Sequence, residues 1–252
     1  MGLTVHYKLH FEPEAEDIGV LQARWVVEEA RQLARRRKRR GLVDAVGPLA
    51  AGGASLKLAR QWVTYPVPGS GNTFSGIEVL PVEGFLYVVT VGADCEPLTL
   101  GLCRYPETLR HGSRSVPTKL GKGWRLAGFS KTQYASLHGW DHFLRCHRAV
   151  VELLAEWRTL GVRVKISDEG EYWPRRSVAN LHRNVDQMNA LVAATAGALK
   201  DADDGEGAAV QSPIFAHRDF ERLEAEGEAR AGEVIRQTRG RISRFLREGT
   251  SS

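Results

Sequence analysis

The sequence predicts an α+β protein: a mostly antiparallel sheet of about five to seven strands, three main helices packed on it, and a C-terminal helical tail. Three patterns carry that expectation. Residues 3–11 alternate apolar and polar side chains, the period of a half-buried strand. Short apolar segments punctuated by glycine and proline follow one another between residues 61 and 129. Longer stretches repeat apolar residues at spacings of three and four, the period of a helix.

Leu3, Val5, Tyr7, Leu9 and Phe11 form the alternating set, and Pro13 ends it. Residues 14–40 then read as a helix with Ile18, Leu21 and Trp25 on its inner face and Ala30, Leu33 and Ala34 continuing the stripe. Glu14, Glu16 and Asp17 are expected in its first turns and a basic run in its last, which suits the helix dipole. Residues 41–60 are rich in Gly and Ala and read as a mobile connection. Strands are expected at 61–67, 77–82, 85–91, 98–105 and 124–129. The turn at Glu83-Gly84 should join the second and third as a hairpin, with Pro81 marking an edge or a bulge. Residues 106–123 read as a loop.

A second helix spans about 140–160, with Phe143, His147, Val150, Leu154 and Trp157 on one face and Gly161 as its stop. Residues 162–166 read as a short buried strand. The third helix has the clearest period: Val178, Leu181, Val185, Met188, Val192, Thr195 and Leu199, behind Ser177 as N-cap. Residues 1–200 thus form one core domain. Residues 201–214 are a flexible acidic linker, and 215–252 a charged tail, helical or partly disordered.

Composition excludes several classes. Hydrophobic residues at 42% and charged residues at 26% are ordinary for a globular chain and argue against disorder throughout. The densest apolar stretch, Phe85 to Val91, is far short of the roughly 20 residues of a membrane span. The start MGLTVHYKLHF lacks the cationic-then-apolar order of a signal peptide, and His6 stands where a myristoylation motif needs Ser or Thr. Three cysteines make no disulfide framework, so a reducing cytoplasm is the expected location. The net charge of +5 is modest, so local placement of charge is the better guide to partners.

Two segments carry candidate chemistry. Residues 128–139, GFSKTQYASLHG, read as a polar loop in which Lys131 can hold a phosphate or carboxylate and Tyr134 or His138 can transfer a proton. Residues 167–173, SDEGEYW, place Asp168 and Glu169 just past a strand end, where carboxylates can act as acid and base. The plainer alternatives are a capping loop and a solvated acidic turn. His138, His142 and Cys146 are spaced by four, but Gly139 should break the helix between the first two, leaving too few ligands for zinc. No phosphate-binding loop, nucleophile elbow, dinucleotide fingerprint or zinc-protease motif occurs, and no cofactor is implied.

Positive charge concentrates in Arg35, Arg36, Arg37, Lys38, Arg39 and Arg40, and again in the tail around Arg239 and Arg244. Such runs bind phosphates bidentately and with strong salt dependence. The leading expectation is therefore a binding or accessory protein that contacts an anionic partner such as nucleic acid through these segments, without a membrane, and that assembles through the 177–201 helix. Two alternatives stand beside it: a small hydrolase or transferase using Lys131, Tyr134, His138, Asp168 and Glu169, and an oligomerising structural protein with no ligand.

Overall fold

The computed structural model describes residues 3–66, 74–112, 114–201 and 211–232. These fall into two compact units, one of Thr4–Glu169 and one running from Gly170 onward with Met1–Leu3. Among the described residues no helix is long and apolar enough to cross a membrane.

The first unit is built on an antiparallel seven-stranded sheet. Its strands are β1 (Thr4–Phe11), β2 (Ala45–Val46), β3 (Ala50–Ala51), β6 (Glu83–Thr90), β7 (Leu98–Arg104), β10 (Trp124–Lys131) and β11 (Arg163–Asp168), in the order β11-β1-β10-β7-β6-β2, with β3 also on β6. Two hairpins stand apart from it: β4 (Gln61–Pro66) with β5 (Phe74–Val79), and β8 (Thr108–His111) with β9 (Arg114–Pro117). Helices α1 (Gly19–Arg39) and α2 (Trp140–Glu156) pack on the sheet. The buried face of β1 is Val5, Tyr7 and Leu9, matched by Leu98, Leu100 and Leu102 of β7. Tyr87 stacks on Trp157, with ring centroids 6.4 Å apart. Fully burying such large side chains contributes roughly 1.5–3 kcal/mol each.

The α+β class, the period-two strand β1 and the inner face of α2 are as expected; Phe143, His147, Val150, Leu154 and Trp157 are all buried. Gly161 ends that helical region in the left-handed conformation, φ 78°. Several local expectations are corrected. Helix α1 begins at Gly19, after the acidic residues, and buries Ala23, Val26, Val27, Ala30 and Ala34. Leu21 and Trp25 face solvent, at 67% and 60% exposure. Small residues let this helix lie close to the sheet, so side-chain volume as well as hydrophobicity selects the inner face.

Residues 41–60 are structured rather than mobile. Gly47 N–H donates to Val88 O and Asp44 N–H to Thr90 O, and the buried Arg31 guanidinium donates to Gly47 O at 2.9 Å. A 3₁₀ stretch, Gly53–Ala59, then crosses β6, β7 and β10. The expected hairpin at Glu83-Gly84 does not form: β5 pairs with β4, and β6 with β7. The loop expected at 106–123 holds the β8–β9 hairpin; β10 runs on to Lys131, so the first third of the expected 128–139 loop is strand, and Gln133–His138 is a 3₁₀ helix. Strand β11 is an edge strand with alternating exposure, not a buried one.

In the second unit, α3 (Val178–Asp201) is capped by Ser177, whose Oγ accepts from Asn180 N–H at 3.2 Å. Its seam drifts from the expected one. Leu181 and Val185 are buried, but beyond them Asn189, Ala190, Ala193 and Ala196 take over, while Leu199 is 55% exposed. The alanines meet Ile214 and Leu223, the latter on α4 (residues 220–232). A Cβ at Gly227 of α4 would fall 2.1 Å from Ala190 O, so glycine and alanine set how closely these helices approach. The expected linker lies mostly at 202–210, outside the described residues.

Candidate ligand cleft on the open sheet face

Alternation in β1, β10 and β11 gives the sheet a second, uncovered face. Antiparallel partners point to the same side, so register sorts that face into rows. Lys131 lies opposite Thr4. Phe129, His6 and Ser167 form the next row, then Ala127, Lys8 and Lys165, then Arg125, His10 and Arg163. His6, Lys8, Phe129, Lys165, Ser167 and Arg163 are all exposed.

The floor of this face is interrupted because β10 and β7 pair only at Arg125 opposite Cys103. Beyond that point the strands part, and side chains supply the missing ladder. Gln61 Nε2 donates to Ala127 O at 2.9 Å, Tyr7 Oη donates to Thr99 O, and Ser130 Oγ donates to Glu96 O at 3.0 Å. Lys131 N–H donates to the Glu96 carboxylate at 3.0 Å, and Glu96 N–H returns to Lys131 O. Tyr7 reaches across only because residue 128 is glycine: a Cβ there would sit 2.5 Å from the phenol oxygen. Burial pushes that phenol well above its ordinary pKa, so it stays a donor.

The result is a cleft of about 630 Å³, floored by Tyr7, Gly128 and Thr99 and bounded by Phe129, Trp62, Lys8, Lys165, Arg60 and Glu96. Its size is that of a small-molecule or nucleotide site. Phe129 is 55% exposed and Trp62 69%. The Trp62 ring lies over the backbone of Gly76, where a Cβ would meet Cε3 at 3.1 Å. Among the described residues no ion pair engages Lys8 or Lys165. The carboxylates nearby are occupied: Glu96 by Lys131 N–H, and Glu169 by Thr4 N–H at 2.9 Å with His6 at 3.5 Å. Arg163 is paired with Glu12 at 2.6 Å. His10 is held below its ordinary pKa by burial and then by Arg125 and Arg163, so it adds no charge near neutrality.

The sequence-predicted residues separate into distinct surroundings. Lys131 sits over the Tyr134 ring at 5.9 Å, at the end of β10. His138 pairs with Asp94 at 2.5 Å, on the loop after β6. Glu169 is held by the β1 backbone. Asp168 turns inward: its side chain is fully buried, with Oδ1 3.1 Å from Nε2 of the equally buried His147. The opposite ring nitrogen, Nδ1, lies 2.9 Å from Thr132 Oγ1. A buried Thr132–His147–Asp168 chain therefore ties β10, α2 and β11 together at one end of the sheet. Sequence reasoning placed His147 on the inner face of α2 but missed both partners, because neither lies within a helical turn of it. Among the described residues no group of three or more His, Cys, Asp or Glu is arranged to hold a metal ion.

The basic run at the end of α1 is divided. Arg37 bonds to Glu152 at 2.8 Å and to Glu156 at 2.6 Å, anchoring α1 to α2. Arg35, Arg36, Lys38, Arg39 and Arg40 remain exposed. Arg239 and Arg244 lie outside the described residues.

Compared with protein-family models, with curated proteins and with solved structures, the chain gives no significant match.

Proposed function

We propose that the chain binds single-stranded nucleic acid on the open face of its sheet. One observation carries the reading: exposed Phe129 and Trp62 border the same cleft as Lys8 and Lys165, two ammonium groups with no carboxylate partner among the described residues. A flat ring in solvent offers a stacking platform for a base, and a neighbouring unpaired ammonium meets the backbone phosphate. Paired strands with bases turned inward cannot use the aromatic groups, which favours single strands over duplex. The five exposed cations closing α1 add a second reservoir of positive charge.

The test is fluorescence anisotropy of the full chain with a labelled oligonucleotide. If Lys8, Lys165 and Lys131 each meet a phosphate, the salt slope is roughly −2, and raising salt from about 50 to about 200 mM weakens binding by about 20-fold. Phe129→Ala should weaken it by about 5- to 150-fold, the loss of one stacked base. Lys8→Glu with Lys165→Glu should weaken binding and flatten the salt slope. No binding at low salt, or binding indifferent to all three substitutions, refutes the proposal.

A further inference from the structure

We propose that a second cleft, at the amino-terminal end of α1, binds an apolar α-amino acid as its zwitterion. This cleft of about 780 Å³ is walled by the β1–α1 connection, the segment after β7 and the turn before β10. It shares no lining residue with the cleft of Phe129 and Trp62.

Helix α1 enters this cleft without a side-chain cap. Ile18 stands at the cap position and offers no side-chain acceptor, and the first turn holds no acidic residue. Gly19 N–H reaches back to Glu16 O at 3.2 Å and Gln22 N–H to Ile18 O at 2.9 Å. Between them, Val20 and Leu21 N–H have no acceptor among the described residues. Free N–H groups at the positive end of a long helix favour an anion.

A second donor is turned to the same place. Trp124, on β10, is only 3% exposed, and its indole N–H has no acceptor among the described residues. Its Nε1 is the indole atom nearest Gly19, where a Cβ would lie 3.7 Å from it. Stacking on Phe85, with ring centroids 5.8 Å apart, holds the ring in that orientation. A buried indole N–H ordinarily has a partner. Gly19, Val20 and Trp124 all line the cleft, so a carboxylate seated there can accept from the indole and the helix end together.

The remaining lining disfavours a bare anion. Glu14, Glu16 and Glu107 are in no ion pair among the described residues, and Lys122 is the one lining cation in the same condition. Glu12 is paired with Arg163 at 2.6 Å, and Arg104 with Glu83 at 3.0 Å. The charges left over sum to negative at neutral pH, so a carboxylate is admitted when its own molecule carries a cation. The ammonium of an α-amino acid supplies it, and Val20, Val82 and Pro106 offer apolar wall to the side chain. Glycine lets the walls close up: a Cβ at Gly121 would fall 2.3 Å from Glu107 Cγ.

The test is a titration of the isotope-labelled full chain with L-leucine, to about 50 mM for so small a ligand, following the indole N–H resonances by NMR. The expected result is a saturable shift of the one resonance that Trp124→Phe removes. By calorimetry, Trp124→Phe should bind leucine about 10-fold more weakly, the loss of one hydrogen bond to a charged group. Leucinamide, which lacks the carboxylate, should leave that resonance unmoved. Isocaproate, which lacks the ammonium, should bind at least about 10-fold more weakly than leucine, and Glu14→Gln with Glu16→Gln should narrow that gap. Glycine, which lacks the side chain, should also bind more weakly. Should Trp124→Phe fail to fold, calorimetry of the wild-type chain decides, with leucine expected to bind more tightly than all three analogues. Indole resonances that leucine does not move, an equal response to leucinamide, or isocaproate or glycine binding as tightly as leucine overturns the proposal.

Discussion

Removing two members of the buried Thr132–His147–Asp168 chain together should cost less than the sum of removing each alone. Asp168 and His147 side chains are fully buried and 3.1 Å apart, so removing either takes a close polar partner from the other where water cannot replace it. Asp168→Ala leaves an imidazole without its carboxylate, and His147→Leu leaves a carboxylate without its imidazole. Each single change is expected to destabilise by about 3–5 kcal/mol. For a unit of this size that corresponds to a fall in Tm of roughly 6–20 °C. Thr132→Val removes only the hydroxyl 2.9 Å from Nδ1, and is expected to cost about 1–3 kcal/mol. The double variant His147→Leu with Asp168→Ala leaves no orphaned charge. It should lie at least ~2 kcal/mol below the sum of the two singles, the coupling expected of a contacting pair. The assay is urea unfolding of the full chain, followed by far-ultraviolet circular dichroism and by tryptophan fluorescence, whose coincidence checks for one transition. A cost below about 1 kcal/mol for Asp168→Ala, or strict additivity in the double variant, would refute the argument that these groups stabilise one another by contact.

Other perturbations separate structural charge from available charge. Arg37→Met should destabilise by about 1–3 kcal/mol, because it takes from Glu156 its guanidinium partner at the α1–α2 contact and leaves Glu152 with Arg148 alone. Arg35→Ala or Arg39→Ala, by contrast, should stay within about 0.5 kcal/mol in the same unfolding assay. Alkaline pH should unfold the chain through Tyr7, Tyr87 and Tyr105, whose phenols burial pushes above their ordinary value of 10.0. Their folded pKa values exceed the unfolded ones, so the stability is complete below about pH 10 and is lost above it. Three such phenols lose roughly 4 kcal/mol by about pH 11. Tyr87→Phe should remove about a third of that slope in a pH-dependent unfolding series, and an unchanged slope would show that its phenol ionises in place. In the nucleic-acid assay, substituting Arg35 and Arg39 together should change affinity less than substituting Lys8 and Lys165, because only the latter pair flanks the aromatic groups of the cleft.

Features set by neighbours close in the chain were legible from sequence. The alternation of β1, the inner face of α2, the stop at Gly161 and the Ser177 cap each depend on contacts within a few residues. The strongest apolar positions of α1 misled, because the face that meets a sheet is chosen by fit as well as by hydrophobicity. Val26, Val27 and Ala30 fit closely, so Leu21 and Trp25 were left in solvent. The same substitution of small for large residues moved the seam of α3 onto Ala190 and Ala193 once Ile214 and Leu223 covered it.

The sequence by itself determined the α+β class, most strand and helix positions, and which residue types were at hand. Tertiary structure alone decided which of them meet. Lys8, Lys165 and Phe129 share a face because β1 lies between β10 and β11 in one particular register, and a shift of a single residue would turn those side chains to the opposite face. Asp168 points at His147 rather than at Lys131 because strand alternation sends it toward α2. Val91 and Gly92 meet Cys146 because glycine lets a loop lie on a helix more than fifty residues away in the chain. Pairings of this kind are set by the free energy of the whole packed sheet, which no local window of sequence contains.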